Sequence, residues 1–330
     1  MRIPFVTERI VRLAKELNAK VFIEPEYQFV GHITFQNGKT TFFKDTSFNI
    51  NHYGSVQIAK DKGYSSFFLK HFGYSVPESI TVFNNLLNDN IKIKRTIDNG
   101  EEFAMKIGWP VVVKPNDKSK GEGVYKVNNS AEYKFAAENI LKHNYVMQIQ
   151  KFCTGRDYRI VVLDGIVISA YERKPLSIIG DGKSTIIELL KNKQSSFLNE
   201  GRDTKINFED ERIKQNLINK GLKYNSIINK DNEIPLLDNA NLSSGGSAVD
   251  FTNLIHTDFK NLAVDVTKKM CLRLCGVDVL TDDITKPISD YNIIEINAAP
   301  GLDNYAFIGS EQNAIVDDLY MQILLSLQND

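Results

Sequence analysis

The sequence predicts an α+β fold divided into two or three subdomains. The chain has 330 residues, which is long enough to bury more than one hydrophobic core. Helical and strand-like patterns follow one another in irregular order, whereas an α/β protein with a parallel sheet would need regular alternation. Two pairs of apolar strand-like runs, within residues 158–173 and 276–297, are each joined by turn-rich residues, which is typical of antiparallel hairpins.

The spacing of apolar residues predicts the elements in chain order. A helix is predicted near residues 7–18, two strands up to about residue 44, and a helical segment at 55–73. Mixed helices and strands follow to about residue 150, and then comes a hairpin whose turn is Asp164-Gly165. The remaining predicted features are further helices, a polar stretch ending at 241–250, a helix at about 258–275, the second hairpin and a closing helix at 314–327.

Charge and hydropathy argue against two classes of partner. The 40 Lys and Arg residues nearly balance the 41 Asp and Glu residues and give a formal net charge of −1, which does not suit a protein that binds nucleic acid on a basic face. No apolar run reaches the ~18 residues of a membrane span, and the N-terminal pattern indicates an amphipathic helix rather than a signal peptide. We therefore expect a cytoplasmic protein that binds neither nucleic acids nor membranes.

The three cysteines do not suggest a disulfide framework or a metal site. Cys271 and Cys275 are four residues apart in a helical pattern and would share one face of that helix, whereas Cys153 stands alone. A metal site would need more ligands than the sequence offers nearby, so we interpret the cysteines as packing residues.

The second hairpin carries acids inside otherwise apolar strands. Glu295 and Asn297 share one face of an extended chain, and pairing of the two strands would bring Asp278 opposite Glu295. Two carboxylates in one poorly solvated site repel each other unless a cation lies between them. Carboxylate and amide oxygens suit Mg²⁺, although a hairpin with solvent-facing acids would explain the same pattern.

A basic, glycine-rich loop follows an apolar strand in the first half of the chain. The strand Val111–Val113 ends at Lys114, and the loop contains Gly121 and Gly123 together with two lysines, Lys118 and Lys120. Glycines allow backbone N–H groups to approach phosphate oxygens closely. The alternative is an ordinary surface hairpin.

A second phosphate-loop signal, at residues 180–185, is a decoy. The sequence Gly-Asp-Gly-Lys-Ser-Thr ends like a P-loop, but Ser177 occupies the place of the required first glycine. We expect a turn at Asp181-Gly182 and a capping box formed by Thr185 and Glu188 at the start of a helix.

The order of these pieces resembles that of ATP-grasp ligases. "VVVKP" with its glycine loop, "FCTGRDYRIVVLDG", "ERKP", "GDGKST", "NLSSGGSAVDFTN", "GVDVL" and "IIEINAAPGL" follow one another over about residues 50–325. The sequence looks most like the ATP-grasp domain of cyanophycin synthetases, and more distantly like glutathione synthetases and D-alanine ligases. The resemblance implies an ATP-grasp fold that holds a nucleotide between two α+β subdomains, with residues 1–55 as a short substrate-side segment, 56–148 as the lid and 149–330 as the catalytic and metal-binding part.

The resemblance also implies which residues bind the nucleotide. Lys62 and Lys114 match the lysines that reach the phosphates, and Gly121 and Gly123 match the loop that closes over them. Gln150 stands where the family usually has a glutamate, but its amide oxygen can still accept a hydrogen bond from adenine. The other matching positions are Lys151, Phe152 and Cys153 in the hinge and Asp157 at the ribose.

Metal and catalytic residues follow from the same resemblance. Asp278, Glu295 and Asn297 match the ligands of Mg²⁺, for which we expect two ions and Mn²⁺ as a substitute. Gly245 and Gly246 are candidate N–H donors to the reaction intermediate. The last two candidates are the arginines Arg159 and Arg173.

The two arginines pose a geometrical problem. A regular two-residue hairpin pairs Arg159 near Ala170 and so places Arg159 and Arg173 on opposite faces. Either a bulge turns one of them, or only one reaches the site.

The resemblance implies an ATP-dependent carboxylate–amine ligase that joins amino acids or small peptides through an acylphosphate and releases ADP and phosphate. We expect a stand-alone enzyme, because the further domains of cyanophycin synthetases have no counterpart in these 330 residues, and similar folds often form homodimers. Two alternatives stay open: a nucleotide-binding regulatory module, and a phosphotransferase that releases a stable phosphorylated product.

Overall fold

The structure is a computed structural model that describes residues 3–119, 121–199, 202 and 204–329. Within these residues the chain forms an α+β fold, as predicted. The helices are α1 Phe5–Glu16, α2 Tyr53–Lys60, α3 Lys62–His71, α4 Asn85–Asn88, α5 Ile97–Ile107, α6 Ser130–Leu141, α7 Ile186–Asn199, α8 Glu211–Asn219, α9 Thr257–Lys269, α10 Asp303–Ala306 and α11 Ser310–Asn329. The strands are β1 Lys20–Ile23, β2 Val30–Thr34, β3 Thr40–Lys44, β4 Ser47–Phe48, β5 Ser79–Phe83, β6 Val111–Pro115, β7 Tyr125–Val127, β8 Val146–Lys151, β9 Arg156–Leu163, β10 Ile166–Lys174, β11 Ser177–Ile179, β12 Glu233–Pro235, β13 Ser247–Asp250, β14 Leu274–Thr281 and β15 Asn292–Asn297.

The described strands form four antiparallel sheets. The N-terminal sheet has the order β1-β2-β3-β4, and the lid sheet has the order β5-β8-β6-β7. The central sheet has the order β13-β10-β9-β14-β15, and β11 pairs with β12 in a small fourth sheet. None of the described helices is both long and apolar enough to cross a membrane.

The N-terminal unit, residues 3–51, contains four strands where the sequence predicted two. The strands β1–β4 follow one another as an antiparallel meander, with a short turn at Asp45 between β3 and β4. One face of this sheet packs against α1 and α11. The same core continues onto the central sheet at Val161 and Leu163. Asn51, two residues before α2, links the two structures by hydrogen bonds. Its Nδ2 donates to the carbonyls of Leu274 and Ala298 (both 2.8 Å), and its Oδ1 accepts from the N–H groups of Arg273 and Leu274.

The helical segment predicted at 55–73 is two helices rather than one. Asp61 has extended backbone angles, and its carboxylate caps α3 by accepting from the N–H of Tyr64 (2.8 Å). The break places Lys62 at the first position of α3, where its side chain is buried.

The lid sheet is covered on one face by α5 and α6. The predicted subdomain boundary between residues 148 and 149 falls inside β8, which pairs with β5 as far as Gln150 and with β6 as far as Lys151. The lid sheet therefore extends to Lys151, and residues 152–155 connect it to the central sheet.

The hairpin β9–β10 has the predicted turn. Asp164 and Gly165 both have positive φ angles, 47° and 79°, as a two-residue type I′ turn requires. One face of β9 packs with Val161 and Leu163 on the core of the N-terminal unit, and the other face packs on α9. The central sheet is thus buried on both sides.

The helix predicted at 258–275 ends at Lys269. Cys271 has a φ of 53° and is exposed, whereas Cys275 is buried inside β14. The two cysteines therefore do not share a helix face. Leu274 and Cys275 are apolar because they are buried at the start of strand β14, and not because they continue the helix.

The predicted P-loop decoy is a turn. The Asp181 carboxylate accepts from the N–H groups of Lys183 (2.8 Å) and Ser184 (2.7 Å), and Glu188 accepts from both the N–H and the hydroxyl of Thr185 at the start of α7. These residues belong to an inserted unit, residues 176–237, which connects β10 to β13 and whose described residues form their own apolar core.

Candidate active site

A cleft with a volume of about 1770 Å³ lies between the lid sheet, the central sheet, the N-terminal unit and the inserted unit. Most of the residues singled out from the sequence line it. These are Lys62, Lys114, Gly121, Gln150, Lys151, Phe152, Cys153, Asp157, Arg159, Arg173, Glu295 and Asn297. Elements from the whole length of the chain therefore converge on one cavity.

A buried cluster of two arginines and two aspartates forms the wall on the central sheet. Arg159 makes a bidentate pair with Asp278, with Nε and Nη2 each 2.7 Å from a carboxylate oxygen. Arg173 reaches the same carboxylate at 2.8 Å and donates to Asp157 Oδ1 from Nε (3.1 Å) and Nη2 (2.6 Å). Asp278 is completely buried, so its charge is balanced by these two guanidinium groups rather than by water.

A β-bulge brings both arginines to the same face. The register of β9 and β10 shifts between Val167 and Ser169, so Arg159 lies opposite Tyr171 instead of Ala170, and Arg173 lies opposite Asp157. Since Asp157 and Arg159 are two residues apart on one strand, all three side chains point into the cleft. Of the two possibilities left open by the sequence, the bulge is correct.

The acidic hairpin pairs as expected. Asp278 lies directly opposite Glu295 in the β14–β15 ladder, and it also lies opposite Arg159 in the β14–β9 ladder. Burial alone would raise the pKa of Asp278, but the positive charges of Arg159 and Arg173 hold that pKa below its ordinary value. Asp278 is therefore ionised and fully engaged by the arginines.

The predicted metal ligands occupy two environments. The Glu295 side chain lines the cleft, is 29% exposed and lies 3.4 Å from Lys62 Nζ, while the Asn297 amide has a buried nitrogen that lacks a hydrogen-bond partner. Because amide oxygen and nitrogen positions are interchangeable in such a side chain, Asn297 can turn an oxygen toward a ligand. Glu295 and Asn297 thus fit a hard cation, whereas both oxygens of Asp278 already accept hydrogen bonds from arginine. Within the described residues no group of three or more His, Cys, Asp or Glu side chains is arranged to hold a metal ion.

Two buried lysines extend the positive wall toward the lid sheet. Lys62 Nζ donates to the carbonyl of Lys118 (2.5 Å) in the glycine loop, of which the structure describes residues 116–119 and 121–124. Lys114 donates to Gln150 Oε1 (3.0 Å), and burial lowers the pKa of Lys114 to about 8. Gln150 therefore already uses its amide oxygen for Lys114, which is a contact that the sequence did not predict.

The remaining predicted nucleotide residues lie around the hinge. Lys151, Phe152 and Cys153 line the cleft at the end of the lid sheet, and Lys126 Nζ lies 4.2 Å above the Phe152 ring. Asp157 accepts from Arg173 through Oδ1 only, so the predicted contact with ribose would use Oδ2. The roles of these residues stay predictions.

The N–H groups of Gly245 and Gly246, predicted as donors to the reaction intermediate, have partners within their own turn. The N–H of Gly245 donates to the carbonyl of Leu242 (3.2 Å), and that of Gly246 donates to the carbonyl of Asn241 (3.2 Å). Both glycines are buried in a tight turn, and a side chain at Gly246 would meet the carbonyl of Lys174. Their N–H groups close the turn, and neither glycine is among the residues that line the cleft.

The inserted unit and the segment that follows it contribute cleft residues that sequence reasoning missed. Arg212, at the start of α8, lines the cleft beside the glycine loop, and Asn239, Asn241 and Ser243 follow β12 along the same wall. A polar residue in the first turn of an amphipathic helix normally faces solvent, so no local signal marks Arg212.

Comparison with known proteins gives the same family over most of the chain. A family model described as D-ala D-ala ligase C-terminus matches residues 68–184, and one described as RimK-like ATP-grasp domain matches residues 238–316. Cyanophycin synthetase from Crocosphaera subtropica is 34% identical over 260 residues, which cover 75% of this chain and 28% of that protein. The glutathione biosynthesis bifunctional protein from Clostridium perfringens is 31% identical over 256 residues, which cover 73% of this chain and 33% of that protein. The chain thus spans about a third or less of the length of these relatives.

Solved structures show the same fold. A bifunctional glutathione synthetase from Pasteurella multocida superposes with a TM-score of 0.62 at 22% identity and covers 97% of this chain and 44% of that chain. The D-alanine–D-alanine ligase from Bacillus anthracis gives a TM-score of 0.51 at 16% identity over 84% of this chain and 70% of that chain.

We expect Asp278→Asn to destabilise the protein strongly. The substitution removes the carboxylate that pairs with the buried Arg159 and leaves Arg173 with Asp157 alone, a defect that costs about 3–5 kcal/mol. The stabilisation from Asp278 is present above the ordinary aspartate pKa of about 3.9 and is lost as the pH falls through the lower pKa of the folded protein. Urea unfolding at neutral pH, without nucleotide and with EDTA, measures the free energy difference.

The matched control is Asp89→Asn. Asp89 lies 4.0 Å from Lys94 in an exposed pair, which is worth about 0–1 kcal/mol. Equal losses in both variants would contradict the structural role of the Asp278 carboxylate.

Proposed function

We propose that this chain, which belongs to the ATP-grasp superfamily, is an ATP-dependent carboxylate–amine ligase. In this reaction a substrate carboxylate oxygen attacks the γ-phosphorus of ATP and ADP leaves. An amine then attacks the acyl carbon of the acylphosphate, so that an amide bond forms and phosphate is released. The observation that carries the proposal is the convergence of Lys62, Lys114, Arg159 and Arg173 on one cleft that also exposes Glu295.

The cations suit a substrate with several negative charges. Lys62, Lys114, Arg159 and Arg173 face the three carboxylates Asp157, Asp278 and Glu295, so one positive charge is in excess. Such a wall attracts phosphate groups and stabilises the charge that develops when a phosphoryl group is transferred.

Arg173 is the best-placed catalytic residue. It donates to Asp157 and Asp278 through Nε and Nη2, which fixes the guanidinium plane and leaves the Nη1 group for a substrate oxygen. Because its orientation is set before the substrate arrives, little reorganisation is needed in the transition state. Arg159 is held by the same Asp278 carboxylate and supports the position of Arg173.

Glu295 and Asn297 would hold Mg²⁺, which would neutralise charge on the nucleotide phosphates. ATP-grasp ligases generally use ATP with Mg²⁺. We also propose that the site holds a second metal ion and that Mn²⁺ can replace Mg²⁺.

The N-terminal unit would receive the substrate. It contributes eight residues to the cleft, of which five are apolar and none is basic: Ile3, Pro4, Phe5, Val6, Phe29, Asp45, Thr46 and Ser47. The Thr46 hydroxyl donates to the carbonyl of Ala299 (3.0 Å), which is two residues after Asn297 in the chain. This hydrogen bond places the N-terminal wall beside the predicted metal site. An amino acid or short peptide with an apolar side chain suits this wall better than one with an acidic side chain, which supports the substrate-side role predicted for residues 1–55.

The test is to identify the nucleotide product by chromatography. Purified protein is incubated with Mg-ATP and pooled amino acids or dipeptides, sorted into apolar, acidic and basic side chains, with and without hydroxylamine. We expect ADP only with a productive pool, which should be the apolar one because the N-terminal wall of the cleft is mostly apolar. Hydroxylamine should trap the acylphosphate as a hydroxamate. ADP without hydroxamate would favour a phosphotransferase, and nucleotide binding without turnover in every pool would favour a regulatory module.

We expect Lys114→Met to weaken ATP binding by about tenfold, roughly 1.4 kcal/mol. A bound phosphate would raise the Lys114 pKa from about 8 toward the ordinary lysine value. Binding should therefore take up a proton at pH 8–9, and ATP affinity should fall as the pH rises above 8. Calorimetry in buffers with different ionisation enthalpies measures both the affinity and the proton uptake.

Lys183→Met is the matched control, because Lys183 lies in the P-loop-like turn at the edge of the inserted unit. Its affinity for ATP and its proton uptake should equal those of the wild-type protein. Loss of binding in this variant would revive the P-loop interpretation.

We expect Glu295→Gln to lower turnover at least tenfold at limiting Mg²⁺, which corresponds to about 1.4 kcal/mol of transition-state stabilisation. The neutral amide is a weaker ligand for a hard cation, so the Mg²⁺ concentration for half-maximal rate should rise. A Mg²⁺ titration of the initial rate distinguishes this effect from a general loss of activity, and an unchanged titration would remove Glu295 from the metal site.

A further inference from the structure

The glycine loop is held from two sides of the cleft. Lys62 of α3 donates to the carbonyl of Lys118 (2.5 Å), and Arg212 of the inserted unit donates through Nη1 to the carbonyl of Gly121 (2.8 Å). Both donors are cations and both acceptors are backbone carbonyls, so the contacts depend on the path of the loop and not on its side chains.

Arg212 is oriented before it meets the loop. Its Nε and Nη2 make a bidentate pair with Asp210 (3.0 Å and 2.7 Å), and the same carboxylate caps α8 by accepting from the N–H of Arg212 (2.9 Å). The pair is largely buried, with 21% and 16% of the two side chains exposed. The remaining amino group, Nη1, is the one that reaches Gly121.

The fit between the loop and the segment that follows the inserted unit requires a glycine. Gly121 has a φ of 70°, and a Cβ atom there would lie 1.9 Å from Asn241 Nδ2 and 2.2 Å from Asn239 Nδ2. Asn239 and Asn241 lie between the inserted unit and the central sheet and line the cleft. The loop is therefore packed against this wall at van der Waals distance, in addition to the hydrogen bond from Arg212.

We propose that Arg212 is a positioning residue that holds the glycine loop closed over the nucleotide site. The inference rests on the proposed function, because the loop matters for the reaction only if phosphates lie beneath it. It assigns a task to the inserted unit, whose core is separate from the sheets that build the rest of the cleft. Arg212 acts through the loop backbone and touches no reacting atom.

The test measures the opening of the loop by limited proteolysis. Lys118 is an exposed trypsin site within the loop, and cleavage there reports the population of the open loop when opening is fast. Trypsin is added to wild-type protein and to Arg212→Gln, each alone and with a non-hydrolysable ATP analogue and Mg²⁺. Mass spectrometry follows the fragment that ends at Lys118.

We expect cleavage after Lys118 to be about tenfold faster in Arg212→Gln than in the wild-type protein without nucleotide, which corresponds to about 1.4 kcal/mol. The analogue should protect the wild-type loop more than the variant loop, and KM for ATP should rise while kcat changes less. Arg212→Lys keeps the charge but loses the bidentate geometry, so its cleavage rate should lie between those of the wild type and Arg212→Gln.

Two further variants make the result decisive. Lys214→Gln alters the same helix at a side chain that pairs with Glu209 and Glu211, and it should cleave like the wild type. Gly121→Ala leaves Arg212 intact but pushes the loop away from Asn239 and Asn241, and it should cleave like Arg212→Gln. Thermal unfolding verifies that each variant is folded.

Equal cleavage of wild type, Arg212→Gln and Gly121→Ala without nucleotide would overturn the proposal. Failure of the proposed function has a different signature: no pool would give ADP and the analogue would give no protection, while the comparison without nucleotide would still decide whether Arg212 holds the loop.

Discussion

The ion pairs that Asp278 makes with Arg159 and Arg173 are the constraint on which the cleft depends. One buried carboxylate holds two guanidinium groups from neighbouring strands, and the three charges would be costly to bury in any other arrangement. The register of β9, β10 and β14 therefore has to be correct to the residue, because a slip by one position would turn each charged side chain to the opposite, apolar face. The two hydrophobic cores that cover the central sheet keep the register in place.

The bulge in β10 shows how a small irregularity serves this arrangement. Without it, Arg173 would point toward the core that contains α9. With it, the strand gains one residue relative to β9, and Arg173 lies opposite Asp157. The bulge costs some stability because it interrupts the strand ladder. Three ion pairs offset this cost: Arg159–Asp278, Arg173–Asp278 and Arg173–Asp157. The cationic wall that results has its geometry before any ligand binds.

The sequence predicted those features that depend on local pattern. The Asp164-Gly165 turn, the pairing of Asp278 with Glu295 and the capping of α7 follow from strand alternation and turn chemistry, and the order of motifs indicated the family. It could not predict features that depend on tertiary packing. Leu274 and Cys275 extend a helical pattern of apolar residues, yet in the structure they belong to strand β14. The sequence around Gly245 likewise does not indicate that its N–H closes a turn.

The sequence also did not predict which distant residues Gln150 and Arg212 contact. Whether Gln150 serves adenine or Lys114, and whether Arg212 faces solvent or the glycine loop, is decided by segments that are 36 and 91 residues away in the chain. The separation in sequence gives no signal of either contact, because both residues have side chains that would be equally acceptable at a surface.

Asn51 makes four hydrogen bonds with its side-chain amide, all of them to the backbone at the start of β14 or just after β15. This use of every donor and of both lone pairs, together with the shared core beneath it, makes the N-terminal unit and the central sheet a single body. The lid sheet, by contrast, enters and leaves through two short connections, residues 72–78 and 152–155. The spacing between the apolar wall and the arginines is therefore set when the protein folds, and any adjustment of the cleft to the size of its contents falls to the lid sheet.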